Sequence, residues 1–131
     1  MPTHPNVDRL SAAYGAFGRG DLVTLGNSLA DDVRWHIAGR SVLAGDYVGR
    51  DAVFALFGRL FSLTAGSLRL DVQALLADDS HGFALVHEHA ARDGREFDAE
   101  LVQVMQLEDG LISAFAEYPT DQYSYDAFFH A

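Results

Sequence analysis

The chain has 131 residues, 49% of them hydrophobic, with no cysteine and with 19 acidic side chains against 9 basic ones. That length and apolar share suit one domain, residues 1–131, around one core, and the missing thiols exclude disulfides, thiolate metal sites and cysteine nucleophiles. The net charge of −10 and the lack of a basic stripe interleaved with aromatics argue against nucleic acid and against an anionic membrane surface as partners. Residues 1–10 are not a basic start followed by an apolar run, and no stretch approaches eighteen apolar residues, so a soluble, cytoplasmic protein is expected.

In chain order, Val7, Leu10, Tyr14 and Phe17 recur at helical spacing and predict a helix over Asn6–Arg19 that Asn6 caps and Gly18 and Gly20 end. Asp21 is placed to cap a short second helix through Leu22, Leu25 and Leu29. Val33–Ile37 has strand composition, and a Gly-rich loop then leads to a third helix, about Asp51–Ser62, with a wide apolar stripe. Beyond Gly66 the period changes to two, with Leu68, Leu70 and Val72 alternating with polar residues. Asp93-Gly94 and Asp109-Gly110 separate the runs Gly82–Ala91, Phe97–Leu107 and Leu111–Tyr118, which predicts a three-stranded antiparallel meander. Asp121–Phe129 reads as a terminal helical turn or tail. The order α-α-β-α-β-β-β-β is an α+β pattern.

Four stretches carry a family likeness: Phe17-Gly-Arg-Gly-Asp-Leu22, Ala30-Asp-Asp-Val-Arg-Trp-His36, Ala44-Gly-Asp-Tyr-Val-Gly-Arg-Asp-Ala-Val53 and Tyr118-Pro-Thr-Asp-Gln-Tyr123. With them the chain resembles, over nearly its whole length, the SnoaL-like proteins of the nuclear-transport-factor-2-like superfamily, to which ketosteroid isomerases and polyketide cyclases also belong. The resemblance implies a cone-shaped, strongly curved antiparallel sheet wrapped on the N-terminal helices, with an apolar pocket between them. It also implies a homodimer through the convex sheet face, flat hydrophobic carbonyl substrates that need a proton moved, and no metal or organic cofactor. The scaffold hosts cyclases, isomerases, dehydratases and binding modules alike, so fold alone does not assign the activity.

With Cys and Lys absent, the groups able to transfer protons are His, Asp, Glu and Tyr. Strand alternation in Phe83-Ala-Leu-Val-His-Glu-His89 puts Phe83, Leu85, His87 and His89 on one face and Ala84, Val86 and Glu88 on the other. Taking the larger apolar pair as the inner face turns both histidines into the cone. By resemblance His87 is the pocket base and Asp121 the general acid/base after the last strand; hydrogen-bonded rim histidines and a helix cap are the structural alternatives. Trp35 is read as pocket wall, and His36 as reaching the pocket through a bulge or facing a dimer contact. Tyr14, Tyr47, Phe57 and Tyr118 supply aromatic surface suited to a planar ligand, and also to a plain core. In the ketosteroid isomerase pattern Tyr14 sits one residue out of phase, while Ile37 and Gln103 occupy the places of the two acids. Those departures argue against classical steroid isomerisation and leave Gln103 as a donor to a ligand carbonyl. His87-X-His89 also offers two imidazoles on one face to a metal, with no third ligand fixed by local spacing. The leading reading is general acid/base catalysis by His87 and Asp121 on a hydrophobic carbonyl compound, against a non-catalytic ligand-binding protein or a dimeric interaction module.

Overall fold

The computed structural model describes residues 4–130. Helix α1 (Pro5–Arg19) and the short α2 (Leu22–Asn27) precede β1 (Leu29–Ile37), β2 (Gly45–Val48) and α3 (Arg50–Leu63). Four strands follow, β3 (Arg69–Ala77), β4 (His81–Arg92), β5 (Arg95–Glu108) and β6 (Leu111–Pro119), and α4 (Gln122–Phe128) closes the chain. The six strands form one sheet in the order β2-β1-β6-β5-β4-β3. The α+β class and the curved sheet against helices are as expected; the sheet is mixed, because β1 runs parallel to β6. No helix is long and apolar enough to cross a membrane among the described residues.

Local chemistry explains the boundaries. His4, rather than Asn6, caps α1: its Nδ1 accepts from the Asn6 N–H at 3.0 Å. Asn6 is buried instead and donates from its side chain to the Asp78 carbonyl, tying α1 to the β3–β4 turn. Gly20, in the left-handed region at φ 68°, ends α1, and Asp21 caps α2 by accepting from Thr24 N–H. In both Asp-Gly hairpins the aspartate and the glycine have positive φ, 52° and 77° at Asp93-Gly94 and 52° and 78° at Asp109-Gly110, matching the tight turns the sequence called for.

One face of the sheet packs on the helices. On β4 that inner face consists of Gly82, Ala84, Val86, Glu88 and Ala90, all buried, while Phe83 is 43% exposed on the outer face. The inner face takes small residues because α1 lies close against it: a Cβ on Gly82 would fall 2.6 Å from Leu10 Cδ1. Assigning the larger side chains to the inside therefore inverts the strand. The core runs from Leu10, Ala13 and Ala16 of α1 through Val53, Leu56 and Phe57 of α3 to Leu101 and Met105 of β5.

Candidate active site

Between the helices and the inner sheet face lies a pocket with about 740 Å³ of space free of atoms, its open mouth included. Its wall is mostly apolar. Trp35 stacks on Phe115, with ring centroids 3.7 Å apart and planes at 11°, and meets Phe57 edge-on at 5.3 Å. Into this surface project five further polar side chains: Tyr14 from α1, Glu88 from β4, Gln103 from β5, Glu117 from β6 and Tyr125 from α4.

Four of them form a chain of hydrogen bonds. The Tyr14 hydroxyl donates to Gln103 Oε1, which fixes the amide so that Nε2 donates to Glu117 Oε2 at 3.1 Å. The Tyr125 hydroxyl donates to the other oxygen, Oε1, at 3.1 Å. Register explains the meeting: Gln103 and Glu117 are direct cross-strand partners on β5 and β6. Burial raises the Glu117 carboxyl above its ordinary range, and the bonds from Gln103 and Tyr125 partly oppose that rise. The phenols are raised as well, Tyr14 by burial and by Glu117, and Tyr125 by burial, Glu117 and Glu88.

Glu88 stands apart from this chain. It is 3% exposed, lines the pocket and has no hydrogen-bond partner among the described residues. Among the described residues no Arg, Lys or His lines the pocket to neutralise it. Desolvation, then repulsion from Glu117, pushes its carboxyl well above the ordinary value of 4.5. An isolated charge in such a place is costly, so the neutral acid is the form this pocket favours. Glu117, with donors on both oxygens, is the member of the pair better able to hold a negative charge.

A family model described as "SnoaL-like domain" matches residues 10–115, most of the chain. The chain belongs to this SnoaL-like family. The structure of Bal32a from a soil-derived mobile gene cassette is 32% identical, covers 95% of this chain and 96% of its own, and superposes with a TM-score of 0.92. An NTF2-like protein of unknown function from Burkholderia pseudomallei is 25% identical over 96% of this chain and 98% of its own, at a TM-score of 0.86. TerC, co-crystallized with polyporic acid, shares the fold at 16% identity and a TM-score of 0.84, over 95% of this chain and 98% of its own.

Within this SnoaL-like fold the sequence-based site residues divide by face. Tyr14, Trp35, Phe57 and Gln103 line the pocket. His87 and His89, expected to face into the cone, instead lie on the outer face of β4, because the inner face is the small-residue one. His36 is also outside, its Nδ1 2.8 Å from Asp46; the register shift in β1 lies between Leu29 and Arg34, too early to turn His36 inward. Tyr118 is 49% exposed, and Tyr47 spends its hydroxyl on the Leu43 carbonyl at 2.7 Å, outside the pocket wall. Asp121 is exposed and caps α4, accepting from Ser124 N–H at 3.2 Å and from Ser124 Oγ at 2.7 Å. Those bonds, Oγ first, hold its carboxyl below the ordinary range, opposite to what a proton shuttle near neutral pH requires. Glu88, Glu117 and Tyr125 were not singled out from the sequence. The available signal was phase: Glu88 shares the strand face of Ala84 and Val86, and Glu117 that of Phe115.

Proposed function

We propose that the chain is a small-molecule enzyme that moves protons within a hydrophobic carbonyl compound by general acid/base chemistry, with Glu88 as the acid and Glu117 as the base. The observation that carries this reading is Glu88 itself, a residue 3% exposed whose carboxyl, without a hydrogen-bond partner among the described residues, meets the space of an aromatic and aliphatic pocket. A buried polar group left unpaired is costly to keep, and such groups concentrate where a ligand completes them.

In the neutral form Glu88 donates to the ligand's carbonyl oxygen and polarises it. Glu117, ionised and held by Gln103 and Tyr125, accepts the proton from the adjacent carbon as the enol forms. Returning that proton to a different carbon, while the enol hydroxyl returns its own to Glu88, isomerises the ligand with no net change in the protein. Attack of the enol carbon on a second carbonyl, whose oxygen takes the proton from Glu117 while the enol hydroxyl returns its own to Glu88, gives ring closure; loss of a neighbouring hydroxyl as water, with the same two proton transfers, gives dehydration. Trp35, Phe57 and Phe115 supply flat surface for a planar substrate and keep water from the carboxyls. The same fold occurs in TerC, which was co-crystallized with polyporic acid.

The test is exchange of the carbon-bound protons next to the carbonyl in a panel of hydrophobic ketones, followed by NMR in deuterated water. We expect acceleration by the native chain for compounds that fit the pocket, and a loss of about 10²- to 10⁴-fold in Glu88→Gln, the usual worth of a positioned acid or base. His87→Ala and Asp121→Asn should leave the rate unchanged. Equal exchange in the native chain and Glu88→Gln would contradict the proposal.

A further inference from the structure

The outer sheet face holds a second cluster, unconnected with the pocket. His87 and His89 project from β4, Asp98 from β5 and Asp71 from β3, with Asp71 directly across from His87 and Asp98 directly across from His89. His89 Nδ1 contacts Asp98 Oδ1, and its Nε2 lies 3.1 Å from Asp71 Oδ2. His87 Nε2 is 4.0 Å from the same Asp98 oxygen. One ligand atom from each of His87, His89 and Asp98 lies within 4.8 Å of the others.

We propose that His87, His89 and Asp98 bind a divalent transition-metal ion, Zn²⁺ fitting best, and that Asp71 orients His89 as a ligand. A neutral imidazole carries one N–H, yet carboxylates face both nitrogens of His89. With Nε2–H donating to Asp71, the Nδ1 lone pair points at a carboxylate; a second ring proton or a metal ion resolves that opposition, and the second imidazole, His87, beside the same Asp98 oxygen favours the metal. A metal ion there is bound by Nδ1 and by Asp98 Oδ1 together. The Asp71–His89–metal order is the arrangement that fixes the tautomer and strengthens the ligand in metal sites generally.

Two imidazoles and one carboxylate suit zinc, and they leave a fourth position for water. Ligand atoms around tetrahedral zinc stand about 3.3 Å apart, so His87 Nε2, 4.0 Å from Asp98 Oδ1, has to move inward, while the close His89–Asp98 pair has to open to admit the ion. Side chains that are 35%, 31% and 62% exposed at His87, His89 and Asp98 can rotate to do so. The two imidazoles now stack in parallel, centroids 4.5 Å apart and planes at 1°, and must tilt before both ring planes meet one ion. The surrounding charge favours a cation. Glu100, across from His87, joins the two aspartates, against Arg69 across from His89. The bound ion would tie β4 to β5 directly and hold β3 through Asp71.

The test is calorimetric titration of the full chain, free of any histidine tag and stripped of metal, with zinc chloride near pH 7.5. We expect one Zn²⁺ per chain, with affinity falling at least tenfold in both His87→Ala and His89→Ala, and about 10- to 100-fold in Asp71→Asn. Asp46→Asn, beside the unrelated His36, should bind as the native chain does. Co²⁺ on the native chain provides a readout that needs no variant: tetrahedral binding produces intense visible absorption bands. Absence of saturable zinc binding, or affinity unchanged in both histidine variants, would overturn the site.

Discussion

Glu88 shows how one carboxyl links folding to chemistry. Its carboxyl is raised above 4.5, so across the interval from that value up to the folded-state value the native chain holds a proton that the unfolded chain has released. The native state binds more protons there, and stability must fall as pH rises through the interval. Glu117, raised in the same direction, adds to the slope. Glu88→Gln keeps the shape without the titration, and it also spares Glu117 the repulsion. We expect this variant to melt higher than the native chain at pH 8 and nearly level with it at pH 4, with a shallower fall between, measured by thermal denaturation across pH. A variant that melts lower than the native chain at pH 8 would contradict a neutral Glu88.

At the scale of elements, a residue's task depends on where its helix or strand puts it. Asp121 has the sequence position of a catalytic acid, yet it sits at the start of α4 and accepts two bonds from Ser124. Asp121→Ala should lower the melting temperature by exposing the helix end, while the exchange rate in the pocket stays unchanged. Most elements were legible because local rules govern them: period-two runs for β3 to β6, helical spacing for α1 and α3, and Asp-Gly at both hairpins. β2 was not legible, since its four residues begin at Gly45 in a Gly-rich stretch and become a strand by pairing with β1. The parallel contact of β1 with β6 joins residues about 80 apart in sequence, and no local signal marks it. The orientation of β4 needed knowledge of what packs on it. Side-chain size suggested Phe83 inside, but Leu10 leaves room only for a glycine opposite it. The pocket aromatics and Gln103 were therefore legible, and the two glutamates were not.

For the whole molecule, a surface dominated by acid encloses an aromatic pocket in which two more acids are buried without a basic partner. The net charge of −10 describes mainly the exterior, where aspartates cap helices and turns; inside, Glu88 and Glu117 are buried with carboxyls raised above their ordinary range. Both glutamates lie on the same inner sheet face as Gln103, and α1 and α4 bring the two tyrosines to them. The SnoaL-like fold thus assembles the site from one surface of the sheet and two helices, and the outer histidine cluster remains independent of it. The claim on which the functional account depends is that Glu88 is a neutral acid at working pH. Carbon-13 NMR of glutamate side-chain carboxyls, titrated from pH 3 to pH 9 and assigned to Glu88 by comparison with Glu88→Gln, tests it directly. The account predicts a Glu88 resonance that still reports the protonated form at a pH where the exposed glutamates have ionised. A resonance titrating near 4.5 with the exposed glutamates would contradict it.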